Sequence, residues 1–102
     1  MKRMWIAAAL FALPVGTALA GAEDAMKKAG CTGCHSAATK MLGPTYKDIS
    51  AKYKGQDVSA ALIDKVRKGG KGNWGAIPMP PHAPEKIGDA ELKEAIAFIL
   101  GH

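Results

Sequence analysis

Cys31-Thr32-Gly33-Cys34-His35 is the stretch on which the reading of this chain turns, because it holds both of the chain's cysteines. A stabilising disulfide between residues three apart closes a tiny loop and removes little unfolded-state entropy. A zinc site wants four ligands in a tetrahedral array, and the other histidines, His82 and His102, do not form a paired unit. A thioredoxin-like redox pair expects a strand before it and a βαβ pattern around it, and neither is visible here. What remains is covalent haem. Each thiol adds to one vinyl group of the porphyrin, two intervening residues let both sulfurs reach along one edge, and His35 follows where it is held under the iron. The bland alternative is a chance CxxC beside a surface histidine.

Outward from the motif toward the N-terminus, the first 20 residues read as an export signal. Lys2 and Arg3 make a positive start, Met4 to Val15 is a short apolar run, and Ala18-Leu19-Ala20 supplies the small-x-small pattern of a cleavage point. Cleavage is expected after Ala20, leaving residues 21–102 as one monohaem domain. The apolar run falls short of the ~20 residues a bilayer-spanning helix needs, so no membrane anchor is expected. The whole chain has 102 residues, 48% apolar and 23% charged, which suits one small globular domain and excludes disorder. Without its first 20 residues it keeps 12 basic and 9 acidic side chains, a net charge of +3. At this size a hydrophobic core alone gives little stability, and a staple is expected. Export also argues against nucleic acid as a partner.

A haem bound through His35 leaves one iron position to assign. Three methionines follow the expected cleavage point. Met26 shares a 3.6-period face with Ala22, Ala25 and Ala29 and should pack in the core, as should Met41 beside Leu42. Met79 differs, being bracketed by Ile77-Pro78 and Pro80-Pro81. Proline fixes φ and restricts the residue before it, so this loop has few conformations to lose when a thioether meets iron. Filling a core gap is the ordinary alternative for a methionine.

The rest of the chain reads as helices punctuated by Gly and Pro. Gly43-Pro44 opens a short helix to about Tyr53. A second runs from a capping Asp57 to Gly69-Gly70, with Val58, Ala61, Leu62, Lys65 and Val66 as its stripe. Gly70 to Pro81 reads as loop. A last helix begins near Asp89, with Leu92, Ala95, Ile96, Ile99 and Leu100 on its apolar face. The fold expected is all-α, about four short helices wrapped around one covalent haem.

Three segments together resemble the small bacterial class I cytochromes c of the c-551/c-552 type. They are Cys31 to His35, then Gly43-Pro44-Thr45-Tyr46-Lys47-Asp48-Ile49, then Trp74-Gly75-Ala76-Ile77-Pro78-Met79-Pro80-Pro81, in the family's order and approximate spacing. CxxCH is shared by all c-type cytochromes, whereas the Trp-to-Pro-Pro run is far more specific. The resemblance covers essentially all of residues 21–102 and implies the class I cytochrome c fold, His/Met iron and single-electron transfer in the periplasm. It implies thioether attachment at Cys31 and Cys34, with His35 and Met79 as the proximal and distal ligands. By the same resemblance the Pro44 carbonyl accepts a hydrogen bond from the other nitrogen of His35, the Trp74 indole donates to a haem propionate, and Lys65 lies near that propionate. This chain departs from the pattern at Asn73, where an apolar residue is common, and at Phe98, where tryptophan is common and which should pack against Met26. It departs again at His82, where the family often has Asn. Three dispositions of His82 are open: donor to the Met79 sulfur, group titrating near neutral pH, or ring facing solvent.

The function expected is electron transfer without catalysis: a His/Met pair fills both axial positions, so iron changes oxidation state without exchanging a ligand. Two alternatives stand beside it, a haem-bearing subunit of a larger redox complex and a haem enzyme or sensor with an open iron position. From Ala25 to Lys71 there are ten basic and three acidic residues, and this basic middle holds the haem motif. It suits an acidic docking patch on a redox partner such as a terminal oxidase, a nitrite reductase or an upstream cytochrome. A monomer is expected.

Overall fold

Helix α1, Gly16–Lys28, carries the small-residue face that the sequence suggests: Ala22, Ala25, Met26 and Ala29 are all buried. The computed structural model describes residues 16–102, with side chains from Gly21 onward. The expected export segment, residues 1–20, lies outside these described residues except for the backbone of its last five, which belongs to α1.

Helix α2, Tyr46–Lys52, starts later than Gly43-Pro44 suggests. Thr45 is its N-cap, with a side-chain oxygen accepting from the Asp48 N–H at 3.0 Å. Pro44 therefore precedes the helix and its carbonyl serves another purpose, described below. Helix α3, Ser59–Lys68, is not capped by Asp57: Val58 is the N-cap and makes no side-chain cap bond. The stop at Gly69 is as expected, with Gly69 at φ 69 and ψ −160. That is a conformation open essentially only to glycine. Helix α4, Asp89–Leu100, buries Leu92, Ala95 and Ile96 against α1 and α2.

The stretch expected as loop contains a small antiparallel hairpin. Strand β1, Gly70–Gly72, pairs with β2, Gly75–Met79, in the register Gly70 to Met79 and Gly72 to Gly75, with an irregularity between. The sequence hides this hairpin because β1 is Gly-Lys-Gly, with no β-branched residue, and β2 has only one, Ile77, directly before a proline. The fold is thus the expected arrangement of four helices with this hairpin added.

One packing expectation needs correction. Met41 is 42% exposed rather than in the core. It sits in the loop before α2, where no helix packs its side chain. Phe98 is half-buried against the core that includes Met26. Its ring pairs edge-on with Tyr46 at 6.0 Å and with His102 at 4.8 Å, so its aromatic partners lie in α2 and at the C-terminus.

Candidate functional site

Gly30, at φ 86, turns the chain out of α1 into a single 3-10 turn, Cys31–Gly33. The N–H groups of Cys34 and His35 both donate to the Cys31 carbonyl, at 3.2 and 2.9 Å. Residues three and four apart on a helical turn share a face, so Cys31, Cys34 and His35 point to one side. Both cysteines are half-buried free thiols. Burial, the largest influence on it, pushes the Cys31 thiol above its ordinary range.

The loop after His35 folds back because the Gly43 N–H donates to the Cys34 carbonyl at 2.8 Å and the Tyr46 N–H to the Ser36 carbonyl at 3.0 Å. This brings the Pro44 carbonyl to the imidazole, whose Nδ1–H donates to it at 2.7 Å. The bond fixes the tautomer and leaves Nε2 as the nitrogen that can meet a metal. Gly43 completes the seat: a side-chain carbon there would stand 2.5 Å from Cε1 and 2.7 Å from Nδ1 of His35. Only glycine lets the ring lie flat on the backbone.

Met79 closes β2 and lines the same cavity as His35. The Gly69 backbone lies directly under it, so that a side chain at Gly69 would collide with the Met79 carbonyl and come within 2.8 Å of Pro81 N. This cavity holds about 410 Å³, and Cys31, Cys34, His35, Pro44, Lys65, Trp74 and Met79 all line it. Its remaining lining is largely apolar, with Val58, Ala61, Leu62 and Val66 of the α3 stripe facing Leu92, Ile96 and Ile99 of α4. Helix α3 has no fully buried residue. Leu62 and Val66 of its stripe rest on the core only in part, and Val58, Ala61, Leu62 and Val66 leave apolar surface lining the cavity, which is what a large flat apolar group tethered at one edge would require. The residues present therefore fit a haem.

Trp74 sits in the hairpin turn, 45% exposed, with Lys52 Nζ 4.5 Å from its ring centroid. Lys52 also donates to the Asn73 carbonyl at 3.1 Å, so the turn is held to α2 through its backbone and needs no apolar side chain at Asn73. Lys65 is half-buried beside Gly70, where a side chain would stand 2.8 Å from its Nζ. His82 does not face solvent: it is 6% exposed and its Nδ1–H donates to the Pro80 carbonyl at 2.9 Å.

Four residues that shape this site have no site role in the sequence reading: Gly43, Tyr46, Lys52 and Gly69. Tyr46 is buried, with its ring stacked 6.3 Å from that of His35. Gly43-Pro44 reads in the sequence as a helix start, not as a seat for His35, and nothing in the sequence couples Lys52 to Trp74.

The family model for cytochrome c matches residues 19–102. Cytochrome c2 of Rubrivivax gelatinosus is 50% identical over 74 residues, covering 72% of this chain and 87% of that protein. Cytochrome c-552 of Nitrosomonas europaea is 43% identical over 103 residues, covering 98% and 97%. The crystal structure of wild-type Nitrosomonas europaea cytochrome c552 superposes with a TM-score of 0.66 at 41% identity, covering 76% of this chain and 95% of that one.

Proposed function

As this chain belongs to the cytochrome c family, whose cofactor is covalent haem c, we propose that it is a periplasmic single-electron carrier with His35 and Met79 as axial ligands. Haem supplies a one-electron iron couple when bound. Cys31 and Cys34 hold one edge of the group from a single turn of backbone. His35 presents Nε2 because its other nitrogen is tied to Pro44, and that bond raises its basicity as a ligand. Met79 contributes a soft thioether, which raises the potential relative to a second histidine. Trp74 and Lys65 offer an indole N–H and an ammonium group for the propionates. Residues 1–20 serve as the export signal and are removed.

The observation that carries this reading is the placement of both cysteines, His35 and Met79 around one apolar cavity, with His35 locked in a single tautomer. A haem enzyme or sensor needs an open iron position, and Met79 closes it. Among the described residues no helix is long and apolar enough to cross a membrane, which suits diffusion between redox partners with acidic docking patches, such as an oxidase, a nitrite reductase or another cytochrome. Replacing Met79 by Ala tests the ligation. The variant should keep covalent haem and lose the weak near-infrared sulfur-to-iron band of the ferric protein. Persistence of that band would assign the distal position to another sulfur.

A further inference from the structure

Pro80 and Pro81 have no N–H, so His82 is the first residue after Met79 whose backbone can be tied down by a donor of its own. It is tied twice to α3. Its N–H donates to the Val66 carbonyl at 2.9 Å, and its carbonyl accepts from Arg67 Nη1 at 3.2 Å. The same Nη1 donates to the Ile87 carbonyl at 2.7 Å, and Nη2 pairs with Asp89 Oδ1 at 2.6 Å, at the first turn of α4. One guanidinium thus gathers both ends of the loop between β2 and α4 onto α3. Two prolines of fixed φ separate His82 from Met79, so a restraint at His82 is passed back to the methionine with little slack.

We propose that Arg67 is a positioning residue for the distal ligand, holding the Met79 loop against α3 so that the thioether stays on the iron. This rests on the His/Met reading above. The planar fork serves two carbonyls and a carboxylate at once, which an ammonium on a flexible stem cannot do. The two carbonyl bonds carry the role. The Arg67 side chain is only 18% exposed, whereas that of Asp89 is 91% exposed and its ion pair is screened by water.

The test uses the ferric holoprotein and follows the rate at which added imidazole displaces the distal ligand, together with the near-infrared sulfur-to-iron band. Arg67→Leu is expected to accelerate displacement about tenfold or more and to weaken the band, since hydrogen bonds from a charged donor to the loop are lost. Arg67→Lys should fall between it and the parent, and carries the test if Arg67→Leu does not fold. Asp89→Asn should stay close to the parent. Thr45→Ala, which weakens the α2 cap away from the loop, is the control for general destabilisation. The positioning role is overturned if both Arg67 variants exchange at the parent rate, or if Thr45→Ala accelerates exchange as much as Arg67→Leu. A parent protein lacking the band would instead overturn the ligation reading, and the positioning role with it.

Discussion

Tyr46 shows how much one buried ring can couple in a chain this small. It is 6% exposed and lies among His35, Phe98 and His102, with ring centroids at 6.3, 6.0 and 5.4 Å. Burial, the largest influence on it, pushes its phenol above the ordinary value, and negative charge at Cys31 and Glu23 adds to the shift. Once Cys31 is a thioether its charge is gone, and burial remains. The folded state therefore favours the neutral phenol, and its pKa lies above that of the unfolded chain, which is about 10. Stability from this group is complete below that value and is lost as pH rises through the folded-state pKa. The parent should lose thermal midpoint above about pH 10 more steeply than Tyr46→Phe, which keeps the ring and removes the proton. Parallel midpoint curves for the two proteins over this range would show that Tyr46 does not set the alkaline limit.

At the level of elements, α2 is the piece most dependent on its ends. With only seven residues it is too short to persist on propensity, and its cap and packing must hold it. Thr45 is 4% exposed and caps Asp48, while Ser50 Oγ donates to the Leu100 carbonyl at 2.8 Å and ties α2 to the end of α4. Thr45→Ala should cost about 1 kcal/mol, a drop of roughly 4–8 °C in thermal midpoint for a domain of this length. Thr45→Ser, which retains the oxygen, should recover most of it. An unchanged midpoint in Thr45→Ala would mean that the cap bond contributes nothing in the folded protein.

For the whole molecule the protein's own core is thin. Its buried apolar residues among those described are Ala22, Ala25, Met26, Ala29, Tyr46, Ile87, Leu92, Ala95 and Ile96, and four of these are alanines. That cluster joins α1, α2 and α4, with Leu62, Ile63 and Val66 of α3 only partly buried against it, and the α3 stripe and the end of the hairpin also line the cavity. Haem is then a structural element as well as a redox centre, since its faces bury what the helices cannot bury against one another. The variant Cys31→Ala/Cys34→Ala, produced without attached haem, should be largely unfolded and show no cooperative thermal transition by circular dichroism. A sharp transition would mean that the alanine-rich core suffices alone.

The covalent chemistry and the helical plan were decided by sequence. Two thiols at that spacing before a histidine have one prosthetic group that suits them, and the apolar periodicities of α1 and α4 mark faces that burial confirms. Local signals of this kind survive because they depend on residues within a turn or two of each other. The hairpin, the seat of His35 on Gly43, the Lys52 stack on Trp74 and the Arg67 clamp were decided only by tertiary structure. Each joins residues that are distant in sequence or whose composition carries no period. Met41 and Val58 make the same point from the other side: a methionine beside a leucine read as core and an aspartate read as a cap. Where the chain folds back decides which side chains are covered and which residue starts a helix, and neighbouring residues do not record that path.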